Sequence, residues 1–213
     1  MDKMTYQMGR WTGHFGREYT DRNDLSLEEL DALYEKNYGK TRTQLNVEFL
    51  EGLDSSLRIL EVGSNLGLQL ACLQRMGFTE LYGIELQEYA VELSKARTQS
   101  INIIRGSALD VPYKDKFFDL VFTSGLLIHI SPSDLNLVMH EIHRCTKKYI
   151  WGFEYYADKH TEVTYRGNKN LLWKGDFAGK YLEQFEDLDL NREERLKYVN
   201  SDNVDAMFLL VRK

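Results

Sequence analysis

Short, nearly unbroken apolar runs recur along the chain, at Arg58 (RILEVG), Glu80 (ELYGIEL), Ile101 (INIIRG), Phe118 (FDLVFTSG) and Lys148 (KYIWGFEY). Continuous rather than alternating apolar character predicts parallel strands covered on both faces. Helical signals fill the intervals. Leu66 to Met76 stops at Gly77, a natural left-handed cap, and Gln87 to Arg97 follows the second run. Ser131-Pro132-Ser133-Asp134 reads as a helix start, with a serine cap, proline in the first turn and an acid three residues after the cap, the helix running to Cys145. Ser26 and Glu29 have the spacing of a capping box. Near the end, Glu194–Val199 and Val204–Arg212 flank Asn200-Ser201-Asp202-Asn203, which predicts a hairpin whose final strand runs antiparallel to the rest. Strands alternating with helices predict an α/β fold with a doubly wound, mostly parallel sheet.

Composition narrows the class. With 213 residues, two prolines and no repeat, the chain is expected to form a single domain over 1–213, residues 1–52 being an N-terminal cover with helices and 53–213 the core. Met1 to Arg10 lacks the apolar centre of a signal peptide, and Leu120 to Ile130 is interrupted by Thr123, Ser124, Gly125 and His129. That stretch falls short of the about 20 apolar residues a bilayer span needs, so no membrane association is expected. Cys72 and Cys145 belong to no paired motif, which makes the cytoplasm the expected compartment. A net charge of −6 without a basic run disfavours a nucleic-acid partner and leaves a small molecule as the expected one.

Candidate chemistry sits at the strand ends, where open parallel sheets bind ligands. The first run ends in Glu61-Val62-Gly63-Ser64-Asn65-Leu66-Gly67, whose glycines permit a sharp turn and close approach to a ligand, and whose Asn65 tolerates left-handed geometry. The second ends in Gly83-Ile84-Glu85, an acid 24 positions after Glu61 and suited to both hydroxyls of a ribose. Gly106-Ser107-Ala108-Leu109-Asp110-Val111-Pro112-Tyr113 follows the third run, and the fourth continues into Thr123-Ser124-Gly125-Leu126-Leu127-Ile128-His129. The spacing Gly63, Asn65, Gly67 lacks the G-x-G-x-x-G of a dinucleotide-binding dehydrogenase.

Taken in order, ExGxNxG, GIE, GSALDVPY and FDLVFTSGLLIHI resemble the class I S-adenosylmethionine-dependent methyltransferases, from Arg58 to Ile130. Three further segments, Trp11 to Asn23, Trp151 to Tyr156, and Tyr165-Arg166-Gly167 with Leu172-Trp173-Lys174, resemble the methylases associated with pseudaminic acid and related surface-sugar clusters. The resemblance implies a Rossmann-like, seven-stranded sheet with an antiparallel last strand and S-adenosyl-L-methionine as cofactor. It also implies site roles. Glu61 with the loop of Gly63, Ser64, Asn65 and Gly67 holds the amino-acid end of the cofactor. Glu85 holds the ribose, Leu86 packs beside the adenine, Ser107 and Ala108 border the adenine edge, and Ser124 with Gly125 borders the methionine side. The implied reaction is methyl transfer to an oxygen or nitrogen of a sugar or nucleotide-sugar of surface-polysaccharide or flagellar glycosylation. Another metabolite, RNA, or a non-catalytic cofactor-binding role beside a partner enzyme are the alternatives. Many members carry glycine where Asn65 stands and aspartate where Ser107 stands; Asn65 therefore suggests a loop with its own side-chain bond.

The remaining candidates rest on position. His129 lies just past the fourth strand, where it either takes a proton from the acceptor or only packs and caps. Glu154, Tyr155 and Tyr156 follow the fifth strand and are expected to face the crevice; Glu154 would bind an amine or hydroxyl of the acceptor or take its proton, the alternative being a polar strand end. Trp11 to Asn23, rich in glycine and aromatics, suits a cover with Tyr19, Arg22 and Asn23 nearest the site and Tyr19 against the cofactor. Tyr165, Arg166, Trp173 and Lys174 combine apolar faces with fixed positive charge, which suits a sugar carrying a phosphate or carboxylate. His140 and His143 are one residue short of the H-E-x-x-H spacing, so no metal is expected.

Overall fold

The computed structural model describes residues 4–213; Met1 to Lys3 of the N-terminal stretch lie outside the described residues. The chain opens with four helices, α1 (Tyr6–Thr12), α2 (His14–Arg22), α3 (Leu27–Tyr38) and α4 (Arg42–Leu50). β1 (Arg58–Val62), α5 (Leu68–Arg75), β2 (Glu80–Glu85), α6 (Glu88–Arg97), β3 (Asn102–Arg105) and β4 (Phe118–Ser124) then alternate. A 3-10 turn (Leu127–His129) leads through α7 (Leu135–Cys145) to β5 (Thr146–Tyr155). A short ribbon, β6 (Thr161–Glu162) with β7 (Trp173–Lys174), precedes α8 (Phe177–Gln184) and the hairpin of β8 (Leu188–Lys197) and β9 (Val204–Arg212).

Seven strands form one sheet in the order β3-β2-β1-β4-β5-β9-β8. β1 pairs in parallel with both β2 and β4, so the strand order reverses between β1 and β4, the place where such sheets bind ligands. β9 lies between β5 and β8 and is antiparallel to both, as the hairpin signal predicts. Its fit against β5 depends on Gly152: a Cβ there would stand 2.2 Å from Phe208 Cζ. Both faces are covered. Leu60, Val121, Ile150 and Phe208 pack with Val138 and Ile142 of α7 and Phe177 of α8, while Ile59, Phe122, Trp151 and Met207 pack with Leu45 and Phe49 of α4 and Leu70 of α5.

Local signals hold where neighbouring residues suffice. Ser26 and Glu29 form the reciprocal capping box, and Gly77 has φ 101° after α5. Two expectations are corrected. α7 starts at Leu135, not directly after Ser131, because the Ser131 hydroxyl bonds the Asp134 carboxylate and residues 132–134 form a turn. β3 is not covered on both faces: it is the sheet edge, and Ile104 stays 40% exposed. No described helix is long and apolar enough to cross a membrane, and no described cluster of His, Cys, Asp and Glu could hold a metal ion.

Candidate active site

The turn after β1 is shaped by three left-handed residues, Gly63 (φ 78°), Asn65 (φ 46°) and Gly67 (φ 78°). A Cβ on Gly63 would lie 2.8 Å from Leu126 Cδ1, so glycine lets the β1 and β4 loops close on each other. Gly67 faces the other way, where a Cβ would meet Ile103 Cδ1 at 2.5 Å; it admits β3 beside the start of α5 and does not line the cavity. The Asn65 N–H donates to Glu85 Oε2 at 2.9 Å, and Glu85 Oε1 accepts from the Gln87 N–H at 2.8 Å. A carboxylate has about four acceptor positions, so both oxygens of Glu85 keep capacity for a ligand's hydroxyls. Burial raises the Glu85 pKa, and these backbone donors oppose that. Glu61 is 2% exposed with Oε2 unpartnered, and burial holds its carboxyl well above the usual range. Ser64 Oγ is likewise buried without a partner. Orphaned buried acceptors in a cavity wall are what a donor-rich ligand would satisfy.

A cavity of about 660 Å³ opens at these strand ends, within the range of small-molecule sites. It brings together Tyr19, Glu61, Gly63, Ser64, Asn65, Glu85, Leu86, Ser107, Ala108, Ser124, Gly125, His129 and Arg166, residues separated by up to 147 positions in the chain. His129 is buried, and its Nδ1 stands 2.7 Å from the Leu171 carbonyl, so Nδ1 carries the proton and Nε2 a lone pair. Burial lowers its pKa to about 4, which keeps the ring neutral near pH 7.

Glu154, Tyr156 and Lys174 do not line the cavity. Side chains alternate across a strand, and the β5 register turns Phe153 and Tyr155 toward the cavity. Glu154, 1% exposed, points to the opposite face, where it accepts from the N–H groups of Leu126, Leu127 and Ile128 and so anchors the turn after β4. Burial raises its pKa to about 7. Tyr156 bonds Asp158 beneath the Arg195 guanidinium. Lys174 donates to Asn203, and Trp173 is buried in the core beside it.

The N-terminal segment is helical, hinged at Gly13, and it supplies wall residues that sequence reasoning did not single out. The Trp11 ring packs 4.5 Å from that of His129 and 5.2 Å from that of Tyr19. The Thr20 hydroxyl lies 3.0 Å from both Asn65 Oδ1 and Gln87 Oε1, the side-chain bond that Asn65 suggests, and Gln87 Nε2 donates to the Trp11 carbonyl at 2.6 Å. Besides these contacts to the β1 and β2 loops, Gln7 donates to the Asn170 carbonyl, Arg10 to Asn168 and Tyr89 to Asp21, and the Phe15 ring packs on Tyr165, so the two short helices close the cavity through contacts spread over several loops. Amide hydrogen exchange across Trp11 to Asn23 is expected to slow when S-adenosylmethionine is added. Equal protection with and without it would make the segment a passive strap.

Residues 60–149 match the family model described as a methyltransferase domain. A search of curated protein sequences finds no match. Among solved structures, the Burkholderia thailandensis 1,6-didemethyltoxoflavin-N1-methyltransferase, solved with 1,6-didemethyltoxoflavin and S-adenosylhomocysteine, is similar with TM-score 0.74 and 11% identity, over 100% of this chain and 92% of that one. The magnesium protoporphyrin IX methyltransferase of Synechocystis PCC 6803, solved with bound S-adenosylmethionine, matches with TM-score 0.69 and 13% identity over 100% of this chain and 98% of that one. A Haloferax volcanii methyltransferase in complex with the Trm112 activator matches with TM-score 0.69 and 13% identity over 92% and 95%. At such identities the likeness shows the fold. The strand order is that of a Rossmann-like methyltransferase fold, and the match over residues 60–149 is to a methyltransferase domain. The protein is an enzyme, and its cofactor is S-adenosylmethionine.

Proposed function

We propose that the protein transfers the methyl group to an oxygen or nitrogen of a small acceptor with an anionic end, a sugar phosphate or nucleotide-sugar, in keeping with the narrower resemblance to surface-sugar methylases. The carrying observation is a set of arginines at the cavity mouth. Arg22 and Arg166 line the cavity and, with Arg10, an adjoining groove of about 420 Å³. Arg10 donates to Asn168 Oδ1 rather than to a carboxylate, and Glu18 in the same groove is matched with His14. Arginine's planar fork suits phosphate.

In this reading Glu61 and the Gly63–Gly67 turn hold the amino-acid end of the cofactor, Glu85 the ribose hydroxyls, Leu86 one side of the adenine, and Ser107 and Ala108 its edge. Ser124 and Gly125 border the methionine side. The bound cofactor supplies an electrophilic methyl group on a sulfonium. The chain's contribution is alignment, which is worth about 7–11 kcal/mol when attacking and leaving atoms are held in line. Tyr19 and Trp11 exclude water from above. His129 Nε2 is the neutral acceptor available for a hydroxyl proton, whereas an amine needs only to arrive unprotonated.

Methyl transfer from labelled S-adenosylmethionine into a panel of sugar phosphates and nucleotide-sugars, followed by mass analysis, tests the proposal. With an accepted substrate, Arg166→Ala should weaken acceptor binding roughly tenfold to a hundredfold, the about 1.5–3 kcal/mol of a charge-assisted anchor. Parental acceptor affinity in that variant, or labelling confined to uncharged acceptors, would remove the anionic anchor while leaving methyl transfer in place.

A further inference from the structure

Past the cofactor elements the cavity continues into a lobe that the roles above leave unused. Tyr34 and Tyr38 of α3, Phe153 and Tyr155 of β5, and Tyr198 wall it, and Asp205 at the head of β9 is its carboxylate. The sheet fixes where this lobe lies. Ser124 pairs with Phe153, and Tyr155 with Asp205, so the lobe sits beyond the ends of β4 and β5, on the side from which an acceptor approaches.

Asp205 is 1% exposed. Its Oδ2 accepts from the Tyr38 hydroxyl and, at 3.1 Å, from the Tyr198 hydroxyl. Its Oδ1 is buried and meets no donor. Arg42 and Lys174 are the cations whose fields reach it, but neither bonds it: Lys174 donates to Asn203 and lies over the Tyr155 ring, and Arg42 donates to Asn46 and Tyr34 while lying over the Phe153 ring. Burial and neighbouring acids hold the Tyr38 and Tyr198 hydroxyls protonated, so these phenols donate and bring no charge. Among the described residues the buried carboxyls Glu61, Glu154 and Asp205 outnumber the one buried cation, Arg42. An unmade bond to a buried carboxylate oxygen is costly, and aromatic faces attract cations.

We infer that this lobe receives a protonated amine of the acceptor, hydrogen-bonded to Asp205 and set against the faces of its tyrosines. The inference rests on the proposed small, anionic-ended acceptor and specifies its class: an amino sugar carrying phosphate. An ammonium has no lone pair with which to attack, so it is a recognition group and the methylated atom is a different one.

The test measures binding of three probes to the protein loaded with S-adenosylhomocysteine: glucosamine 1-phosphate, glucose 1-phosphate and N-acetylglucosamine 1-phosphate. Glucosamine 1-phosphate is expected to bind at least tenfold tighter than the other two, and Asp205→Asn should abolish that preference. Equal affinities in the parent protein overturn the inference, as does a preference that persists in Asp205→Asn. The parent comparison alone decides the matter if that variant does not fold, because N-acetylation removes the charge without touching the protein. If Arg166→Ala leaves all three affinities unchanged while the amine preference stands, the anionic anchor fails and the lobe survives.

Discussion

Replacing Glu85 with alanine is expected to weaken S-adenosylmethionine binding by roughly 30- to 1000-fold, about 2–4 kcal/mol, the proposed role being two charge-assisted bonds to the ribose. The side chain stands at the tip of β2, on the wall of the cavity, oriented by the backbone N–H groups of Asn65 and Gln87. Those two donors fix both carboxylate oxygens before any ligand arrives, so little ordering remains to be done on binding. Alanine removes the acceptors and the bond from Asn65, while the Gly63 and Ser64 N–H groups keep the turn on the Ile84 carbonyl of β2. Glu85→Gln, with one carbonyl acceptor and no charge, should fall between. Calorimetric titration of variants shown to be folded reads the effect; parental affinity in Glu85→Ala would exclude it as the ribose ligand.

Glu154→Ala should cost about 3–5 kcal/mol of stability, because three backbone N–H groups, two of them in fully buried bonds, lose their acceptor together. Those groups begin the 3-10 turn that carries His129, so turnover should fall as well. Denaturant unfolding measures the loss, and a change under 1 kcal/mol would mean that water replaces the carboxylate. The same residue has a pH signature. Burial raises its pKa from 4.5 to about 7, so the folded state binds its proton more tightly than the unfolded state does. The stability this brings is present in full below pH 4.5 and is lost as pH rises through 7. The parent protein should therefore lose stability relative to Glu154→Gln between pH 5 and pH 8, by up to about 3 kcal/mol.

Both residues were visible in the sequence, but only one was readable there. Glu85 ends an apolar run behind a glycine turn, and that local pattern fixes a strand tip facing the ligand side. Glu154 follows an equally clear run, yet a strand's two faces differ by one residue of register. The register comes from pairing with β4 and β9, not from the run itself. Asp205 left a faint trace, an acid at the head of the apolar run Val204 to Arg212. Its meaning needs Tyr38, which is 167 positions away.

What the chain's own order of residues determined is everything that neighbours along it can decide. Apolar runs set the strands, Gly63, Asn65 and Gly67 set the turn, Ser26 with Glu29 sets a helix start, and the tight connection after Val199 sets the final hairpin. Only the tertiary structure decided which side chains share the cavity. It turned Glu154 inward to hold a turn, moved Lys174 and Tyr156 off the wall, and brought Trp11 and Thr20 from the N-terminal helices onto His129 and the β1 loop. Helix caps and turns satisfy their hydrogen bonds within a few residues, whereas burial, register and the meeting of distant side chains exist only once the sheet has closed on its helices.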